Sequence, residues 1–516
     1  MTPFHRAVLL LLSAAAATSP AEVVPNALFS DNAVLQQATD IPVWGAAREG
    51  EKVTVSVAGA EATTTAKDGR WMVRLPKCKP GGPHVLTIRG DNTVTATNVV
   101  IGEVWLCSGQ SNMEKNMGPR NGQVPVLNWE QEAAAADLPL IRQFLVPREG
   151  ADKPRESMGG GWVVCSPATV TNFTAVGFFM AKDLHEKLRV PVGIIHSSYG
   201  GTPAESWTRM EVLETVPELK GILEAHAESI RTFPERRARF EVEKEELKRK
   251  HAEAVKKAEA AGQPAPRGPQ APRDPVTDIK RPSALYNAMI HPLIPYAIRG
   301  VAWYQGESNS WKAKEYQTLF PAMITDWRKQ WGRGDFPFLF VQISGCHNMN
   351  PLIREAQLLT LGRVSNTAMA VITDVGTPRD IHPPDKRPVG QQLALAARAA
   401  YGQKIEYSGP LFESAVFEGA RAVVSFTHAS GGLESGGGAV RGFQVAGADR
   451  VFHPAAVEFQ GAKVVLTSPE VPAPVAVRFG WDFVPDTNLV NREGLPASPF
   501  RTDDWDDVKP VAGSGT

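Results

Sequence analysis

The sequence predicts an α/β domain with a mainly parallel sheet in a three-layer arrangement, flanked by N- and C-terminal β-sandwich-like domains. Between about residues 101 and 400, apolar strand-like runs alternate with helical stretches, as an α/β sheet requires. Before and after this region, short runs alternate polar and apolar residues with a period of two, and turn residues separate them. We therefore expect a β-sandwich or jelly-roll-like domain over 22–100, an α/β domain over 101–400 and a second β domain over 401–516.

The first 21 residues have the layout of a secretory signal peptide. His5 and Arg6 precede an apolar run at 7–17, which is too short to span a bilayer comfortably, and small residues follow it. We expect a secreted or periplasmic protein that has no membrane contact after signal removal. The alternative is an anchor that the mature chain keeps.

Both flanking regions contain runs typical of half-buried strands. Their alternation places apolar side chains on one face of a sheet and polar side chains on the other. The clearest runs are 52–57, 70–75 and 84–89 in the first region, and 422–426, 462–467 and 475–479 in the last.

The strand-like runs of the α/β region each end in a polar segment. The first leads into Gly-Gln-Ser-Asn at 109–112, and others cover 190–196, 299–304, 337–344 and 368–374. Ligands of open α/β sheets bind beyond the carboxyl ends of the strands. Ser111, just past such an end, is therefore a candidate nucleophile.

Residues 211–275 predict a helical insertion in the α/β domain. The stretch 234–261 is dense in Glu, Lys, Arg and Ala, which favours a solvent-exposed helix with spaced ion pairs, and the Pro/Gly-rich segment after it cannot continue a helix. Its acids balance its bases, so we expect a projecting arm or a lid and not a nucleic-acid-binding arm.

Composition excludes several functional classes. Lys and Arg number 55 and Asp and Glu number 55, so the chain lacks the net charge that drives generic binding to nucleic acid. The four cysteines include no Cys-x-x-Cys, and no His-Glu-x-x-His occurs. We expect no metal and no cofactor. Pairing among Cys78, Cys107, Cys165 and Cys346 stays open, as does the oligomeric state.

Four segments carry a family resemblance, and they lie at 102–113, 197–207, 303–309 and 380–386. Together they resemble the sialate O-acetylesterase family of the SGNH hydrolase superfamily. Segments at 26–36 and 494–503 also resemble the opening and closing parts of that family, so the likeness spans about residues 25–505. It implies an SGNH-hydrolase-like α/β domain and a serine esterase that acts on an acetylated carbohydrate.

The resemblance implies that Ser111 is the nucleophile and His382 the base. Ser108, still within the strand, is the alternative nucleophile. A histidine suits the task because its pKa near neutrality lets it accept a proton and return it.

The acid that orients His382 is less clearly indicated. The superfamily pattern places an Asp three residues before the His, but Arg379 occupies that position and Asp380 follows it. Asp380 is our first candidate, followed by Glu307 in the Gln-Gly-Glu segment. Asp374 and a backbone carbonyl are further possibilities.

Acyl transfer also needs donors for the oxyanion of the tetrahedral intermediate. The backbone N–H of Ser111, that of Gly201 or Gly200, and the side-chain amide of Gln305 are the predicted donors.

Aromatic residues near these segments are candidates for lining a glycan cleft, because sugar rings pack on aromatic faces. Trp207 and Tyr199 are the leading candidates, and Trp303 and Trp311 are others.

Three functions agree with the sequence. The first is removal of O-acetyl groups from sialic acid or related acetylated glycans through an acyl-serine. The second is the same chemistry on acetylxylan or another polysaccharide. The third is a non-catalytic glycan-binding protein with an inert hydrolase core.

Overall fold

The computed structural model describes residues 22–262, 265–266 and 268–505. The signal peptide predicted at 1–21 lies outside the described residues and stays a prediction. In the described part of the chain, no helix is both long and apolar enough to cross a membrane.

Eight strands form the N-terminal region, and most pair antiparallel. The runs predicted at 52–57 and 70–75 form strands with those bounds, and their side chains alternate between buried and more exposed positions. The strands are β1 (Val24–Pro25), β2 (Val34–Gln36), β3 (Ile41–Ala46), β4 (Lys52–Val57), β5 (Ala60–Thr65), β6 (Arg70–Leu75), β7 (Gly81–Arg89) and β8 (Thr93–Gly109).

In the described residues of the α/β region there are six further strands and eight α-helices. The strands are β9 (Leu138–Leu145), β10 (Trp162–Cys165), β11 (Val192–Ser198), β12 (Gly300–Tyr304), β13 (Phe338–Gln342) and β14 (Thr367–Val371). The helices are α1 (Ser111–Glu114), α2 (Trp129–Ala134), α3 (Ala175–Leu188), α4 (Met210–Thr215), α5 (Lys220–Ala260), α6 (Ala313–Trp331), α7 (Pro351–Arg363) and α8 (Arg387–Ala400).

The central sheet has the strand order β10-β9-β11-β8-β12-β13-β14, and all neighbours are parallel except β10 and β9. Helix α3 packs on α8, and α6 packs on α7. Chain order reverses at β8, because β9 and β11 lie on one side of it and β12 to β14 on the other. The carboxyl end of β8 is thus the point where an open α/β sheet forms its ligand crevice.

Strand β8 belongs to both regions. Its first part pairs with β7 and β2, and its second part pairs with β11 and β12. Buried apolar residues from Val23 to Ala397 form one continuous core. The boundary predicted between residues 100 and 101 therefore falls inside one continuous strand. Strands β2, β4, β5 and β7 extend the α/β region's own sheet, whereas β1, β3 and β6 form a separate three-stranded sheet whose buried residues belong to the same core.

Helix α5 lies within the predicted insertion and is solvent-exposed. Its 41 residues span about 60 Å at 1.5 Å per residue, and Ile222 is its buried residue. Ion pairs three or four residues apart run along it, such as Arg239 with Glu243 and Arg249 with Glu253. The helix therefore forms a projecting arm.

The C-terminal region has its own apolar core and two four-stranded antiparallel sheets. It is fastened to α7 by Arg501, whose Nε lies 2.7 Å from Oε1 of Glu355. Its strands are β15 (Leu411–Glu418), β16 (Arg421–Thr427), β17 (Leu433–Ser435), β18 (Phe443–Ala446), β19 (Phe452–Pro454), β20 (Ala456–Gln460), β21 (Lys463–Thr467), β22 (Ala476–Phe479), β23 (Leu489–Asn491) and β24 (Phe500–Arg501).

All four cysteines lie in the described residues, and each is a free thiol. Cys107 is buried on β8, and its burial raises the pKa of the thiol to about 12. It packs as a small apolar residue in the core.

Candidate active site

Ser111 stands at the rim of the central crevice. Strand β8 ends at Gly109, and Ser111 opens α1. Gly109 has φ +131°, and a Cβ built on it would lie 2.2 Å from the carbonyl oxygen of Tyr304. Only glycine lets the chain turn this close to β12, and the turn holds the serine at the strand's end.

His382 meets Ser111 although 271 residues separate them. Its Nε2 lies 2.8 Å from Oγ of Ser111, and its Nδ1 lies 3.0 Å from Oδ1 of Asp380. The same Asp380 oxygen accepts the backbone N–H of His382 at 2.9 Å. The loop is tightened by Thr377, whose Oγ1 donates to the Asp380 carbonyl. An aspartate two residues before the histidine thus reaches the imidazole across a tight loop.

The imidazole of His382 is prepared to act as a base. Burial lowers its pKa below the usual value, and the contact with Asp380 opposes this effect. The neutral ring predominates at neutral pH, so Nε2 can accept a proton while Asp380 fixes the tautomer.

Glu307 contacts Asn112 and not the histidine. Its Oε1 accepts a hydrogen bond of 2.5 Å from Nδ2 of Asn112, which also donates to the carbonyl of Ile381 at 2.8 Å. Burial raises the pKa of Glu307, and its Oε2 has no partner in the described part of the chain. The structure contradicts Glu307 as the partner of the imidazole, because Asp380 occupies Nδ1.

Lys386 is a site residue that the sequence analysis missed. It is fully buried, and its Nζ donates to Oδ1 of Asn112 and lies 5.2 Å from the ring centroid of Tyr304. Burial lowers its pKa to about 7, and nearby Lys115 acts in the same direction. The available signal was its position at the end of the 380–386 segment, just before α8.

Asn112 therefore joins the two loops that carry the candidate catalytic groups. It follows Ser111 directly and bonds to the carbonyl of the residue before His382. Glu307 and Lys386 hold its amide on opposite sides.

The chain is similar to known carbohydrate esterases. Residues 275–398, which include His382, match the family model described as "Carbohydrate esterase, sialic acid-specific acetylesterase". The rat sialate O-acetylesterase is 32% identical over 422 residues, which cover 72% of each chain. The human sialate O-acetylesterase is 30% identical over 433 residues, which cover 75% of this chain and 72% of the human one.

The chain belongs to the sialate O-acetylesterase family. The prediction of a carboxylic ester hydrolase is thereby confirmed. A solved carbohydrate acetylesterase from Xanthomonas citri is 38% identical, with a TM-score of 0.78 over 94% of this chain and 100% of its own. The expected α/β fold is confirmed by the central sheet and by this match.

Gln305, one of the predicted oxyanion donors, has its side-chain amide bonded inside the protein. Nε2 of Gln305 donates to Oδ1 of Asn309 at 2.7 Å and to the carbonyl of Thr202 at 3.3 Å. Both of its N–H groups are thus used inside the protein, which counts against the predicted role of Gln305 as an oxyanion donor.

The glycine pair follows β11 beside the serine. Gly200 donates its N–H to the Glu114 carboxylate, and Gly201 turns with φ +69°. Ser111 lies in the first turn of α1, where backbone N–H groups have no acceptor within the helix. The N–H groups of Ser111 and Gly201 remain the predicted oxyanion donors.

The two aromatic candidates differ in exposure. Trp207 is fully buried, its ring packs edge-on against Trp303, and its Nε1 donates to Oγ1 of Thr202. The prediction that Trp207 lines a glycan cleft is wrong, because packing fills its surroundings. Tyr199 is half-buried and lines a 470 Å³ cavity that contains Ser111.

That cavity carries a cluster of charges next to the nucleophile. Oε1 of Glu114 accepts hydrogen bonds from Arg120 and Arg148. Two arginines against one carboxylate leave this side of the esterase cavity with a net positive charge.

Proposed function

We propose that this chain is an SGNH-type esterase that removes O-acetyl groups from acetylated glycans by way of an acetyl-serine. The observation that carries the proposal is the hydrogen bond of 2.8 Å between Ser111 Oγ and His382 Nε2, with Asp380 on the other ring nitrogen. A hydroxyl, an imidazole and a carboxylate in this order form the arrangement that activates serine nucleophiles.

In the first step, Oγ of Ser111 attacks the acetyl carbonyl carbon while His382 Nε2 takes the hydroxyl proton. The carbonyl oxygen becomes an oxyanion that accepts hydrogen bonds from the N–H groups of Ser111 and Gly201. The tetrahedral intermediate then collapses, the bond to the sugar oxygen breaks, and His382 returns its proton to that oxygen. The deacetylated sugar leaves, and the acetyl group stays on Ser111.

In the second step, water attacks the acetyl-serine, and His382 accepts the water proton. Collapse of the second intermediate releases acetate, and the proton returns to Oγ of Ser111. Asp380 holds Nδ1 protonated throughout, so that Nε2 faces the serine in both steps.

Sialic acid or a related acetylated glycan is the substrate that family membership favours, because the rat and human relatives are sialate O-acetylesterases. Acetylxylan or another polysaccharide is the second candidate, favoured by the relative from Xanthomonas citri, which is a carbohydrate acetylesterase. A glycan-binding protein with an inert core is disfavoured because the serine and histidine are in contact.

The same proposal covers the organisation of the chain. A signal peptide at 1–21 would export the protein, and the β regions over 22–100 and 401–516 would flank the catalytic region. The C-terminal region has an apolar core distinct from that of the rest of the chain, which supports a separate C-terminal domain.

The test combines labelling with substrates. A fluorophosphonate should modify Ser111, as located by peptide mass spectrometry, and prior denaturation should abolish the labelling. Acetate release is then measured on O-acetylated sialic acids, acetylxylan and 4-nitrophenyl acetate. Labelling at another residue, or no acetate from any of these esters, would refute the proposal.

Replacing Lys386 tests whether the buried network sets the state of His382. The Lys386 charge is one of the causes that lower the His382 pKa. Lys386→Met should therefore raise this pKa and move the acid limb of kcat/KM to higher pH. It also leaves the buried Oδ1 of Asn112 without its donor, which costs about 1–3 kcal/mol of stability. Because Asn112 joins the loops of Ser111 and His382, we expect a lower kcat as well.

The measurement is a pH–rate profile of 4-nitrophenyl acetate hydrolysis. Lys187→Met removes an exposed charge on α3 and is the control that should leave the profile unchanged. An unshifted acid limb in the Lys386 variant would contradict the effect of the Lys386 charge on the His382 pKa.

A further inference from the structure

A second cavity adjoins the one that holds Ser111. The second cavity has a volume of 710 Å³ and shares Tyr199 and Gly200 with the first. Its remaining walls come from Arg237 on α5 and from residues between 271 and 280, where the arm returns to the sheet. The insertion thus forms one side of a cleft that has the nucleophile at its other end.

The charges of the second cavity favour an anion. Its lining contains three cations, Arg237, Arg273 and Lys280, and two acids, Asp274 and Asp278. Arg237 pairs with Glu241 on its own helix at 2.9 Å, and Arg273 lies 4.0 Å from Asp278. The ammonium of Lys280 forms no salt bridge with any described residue. It is the cation of this wall that remains available to a ligand.

Lys280 is held close to the nucleophile by its backbone. Its carbonyl accepts a hydrogen bond of 2.7 Å from Oγ of Ser206, and its N–H donates one of 3.0 Å to Oδ1 of Asp278. A Cβ built on Gly201 would lie 3.6 Å from the Lys280 Nζ, and one built on Gly200 would lie 3.4 Å from the Ser111 Cβ. With about 3.8 Å between adjacent Cα atoms, the ammonium is at most roughly 14 Å from Ser111. One or two sugar rings can span this distance.

We propose that Lys280 and the wall of the second cavity form a subsite for a sugar carboxylate, which selects acidic over neutral acetylated glycans. The inference rests on the proposed function and extends it from acetyl removal to the recognition of the sugar. The acetyl ester lies at Ser111, Tyr199 provides a ring between the two cavities, and the carboxylate binds the Lys280 ammonium. The net positive charge of Arg120, Arg148 and Glu114 at the other end favours the same anionic ligand.

The test compares each acid with a neutral counterpart. The first pair is O-acetylated N-acetylneuraminic acid and its methyl ester, which place the charge on the acetylated sugar. The second pair is an acetylated xylo-oligosaccharide with and without a glucuronic acid branch, which places the charge on a neighbouring sugar. Acetate release gives kcat/KM for the wild type, Lys280→Gln, Lys280→Arg and the control Lys256→Gln, an exposed lysine on α5.

In at least one pair, the wild type should prefer the acid by about two- to fivefold, as expected for an exposed charge pair. Lys280→Gln should abolish this preference through KM, while Lys280→Arg and Lys256→Gln retain it. The pair that responds identifies which sugar carries the carboxylate. Equal rates within both pairs for the wild type, or a preference that persists in Lys280→Gln, would overturn the inference.

Failure of the proposed function would look different. If neither the sugars nor 4-nitrophenyl acetate release acetate, the esterase assignment fails. Calorimetric titration of Ser111→Ala with N-acetylneuraminic acid then tests whether the subsite binds a sugar carboxylate, independently of any esterase activity. Binding that is lost on adding Lys280→Gln supports it, and no binding, or binding unaffected by Lys280, refutes it.

Discussion

Ser111→Ala is expected to abolish ester hydrolysis and leave the fold intact. The substitution removes the one atom that forms the acyl bond, and neither His382 nor Asp380 can replace it. Loss of the nucleophile in serine hydrolases of this type costs about 10⁴-fold or more in kcat. Ser111 is only half-buried, and removing its Oγ leaves no cavity in the core. The measurements are 4-nitrophenyl acetate turnover, fluorophosphonate labelling and the thermal unfolding midpoint.

Ser108→Ala is the matched control for this prediction. Ser108 is fully buried on β8, and its Oγ has no hydrogen-bond partner in the described part of the chain. Its loss should leave both turnover and labelling near the wild-type level. If Ser108→Ala is inactive and Ser111→Ala is active, the nucleophile assignment must be exchanged.

The part of the site that the sequence could predict consists of short local motifs. Ser111 follows a continuous apolar run, which is typical of a buried parallel strand, and such a strand ends at the ligand crevice. The histidine segment was recognised by its order of residues. The prediction that Ser111 and His382 meet did not require the order of the strands, because the family resemblance implied that the two residues act together.

Other parts depend on contacts that no local pattern encodes. Gln305 and Trp207 stand in the expected segments, but packing turns both inward, where their polar groups bond to Asn309 and Thr202. The predicted boundary at 100/101 lies within β8, because the pattern changes from alternating to continuously apolar inside this strand, where its surroundings change from half-exposed to fully buried.

The acid that orients His382 also depends on contacts that the sequence does not show. Spacing alone ranked Asp380 and Glu307 almost equally, because a sequence does not show how a loop turns. In the structure, the Thr377 hydrogen bonds close the loop so that Asp380 reaches Nδ1, while Glu307 is held by Asn112.

Asp380→Asn is expected to cause the second large loss, about 10³- to 10⁴-fold in kcat, by analogy with the same change in other serine triads. The asparagine amide has no negative charge with which to keep the proton on Nδ1. The tautomer in which an unprotonated Nε2 faces Ser111 is therefore lost. The Asp380 charge also raises the His382 pKa against the effect of burial. Its removal should lower this pKa further and move the acid limb of kcat/KM to lower pH.

Glu307→Gln is the comparison that separates the two acids. A glutamine can still accept the Asn112 hydrogen bond through its Oε1, so we expect a loss of about tenfold or less, the range for one weakened hydrogen bond. The directions of the pH shifts add a second criterion, because Lys386→Met should move the acid limb upward and Asp380→Asn should move it downward. A severe loss in Glu307→Gln with a mild one in Asp380→Asn would mean that the histidine loop rearranges during turnover to place its imidazole on Glu307.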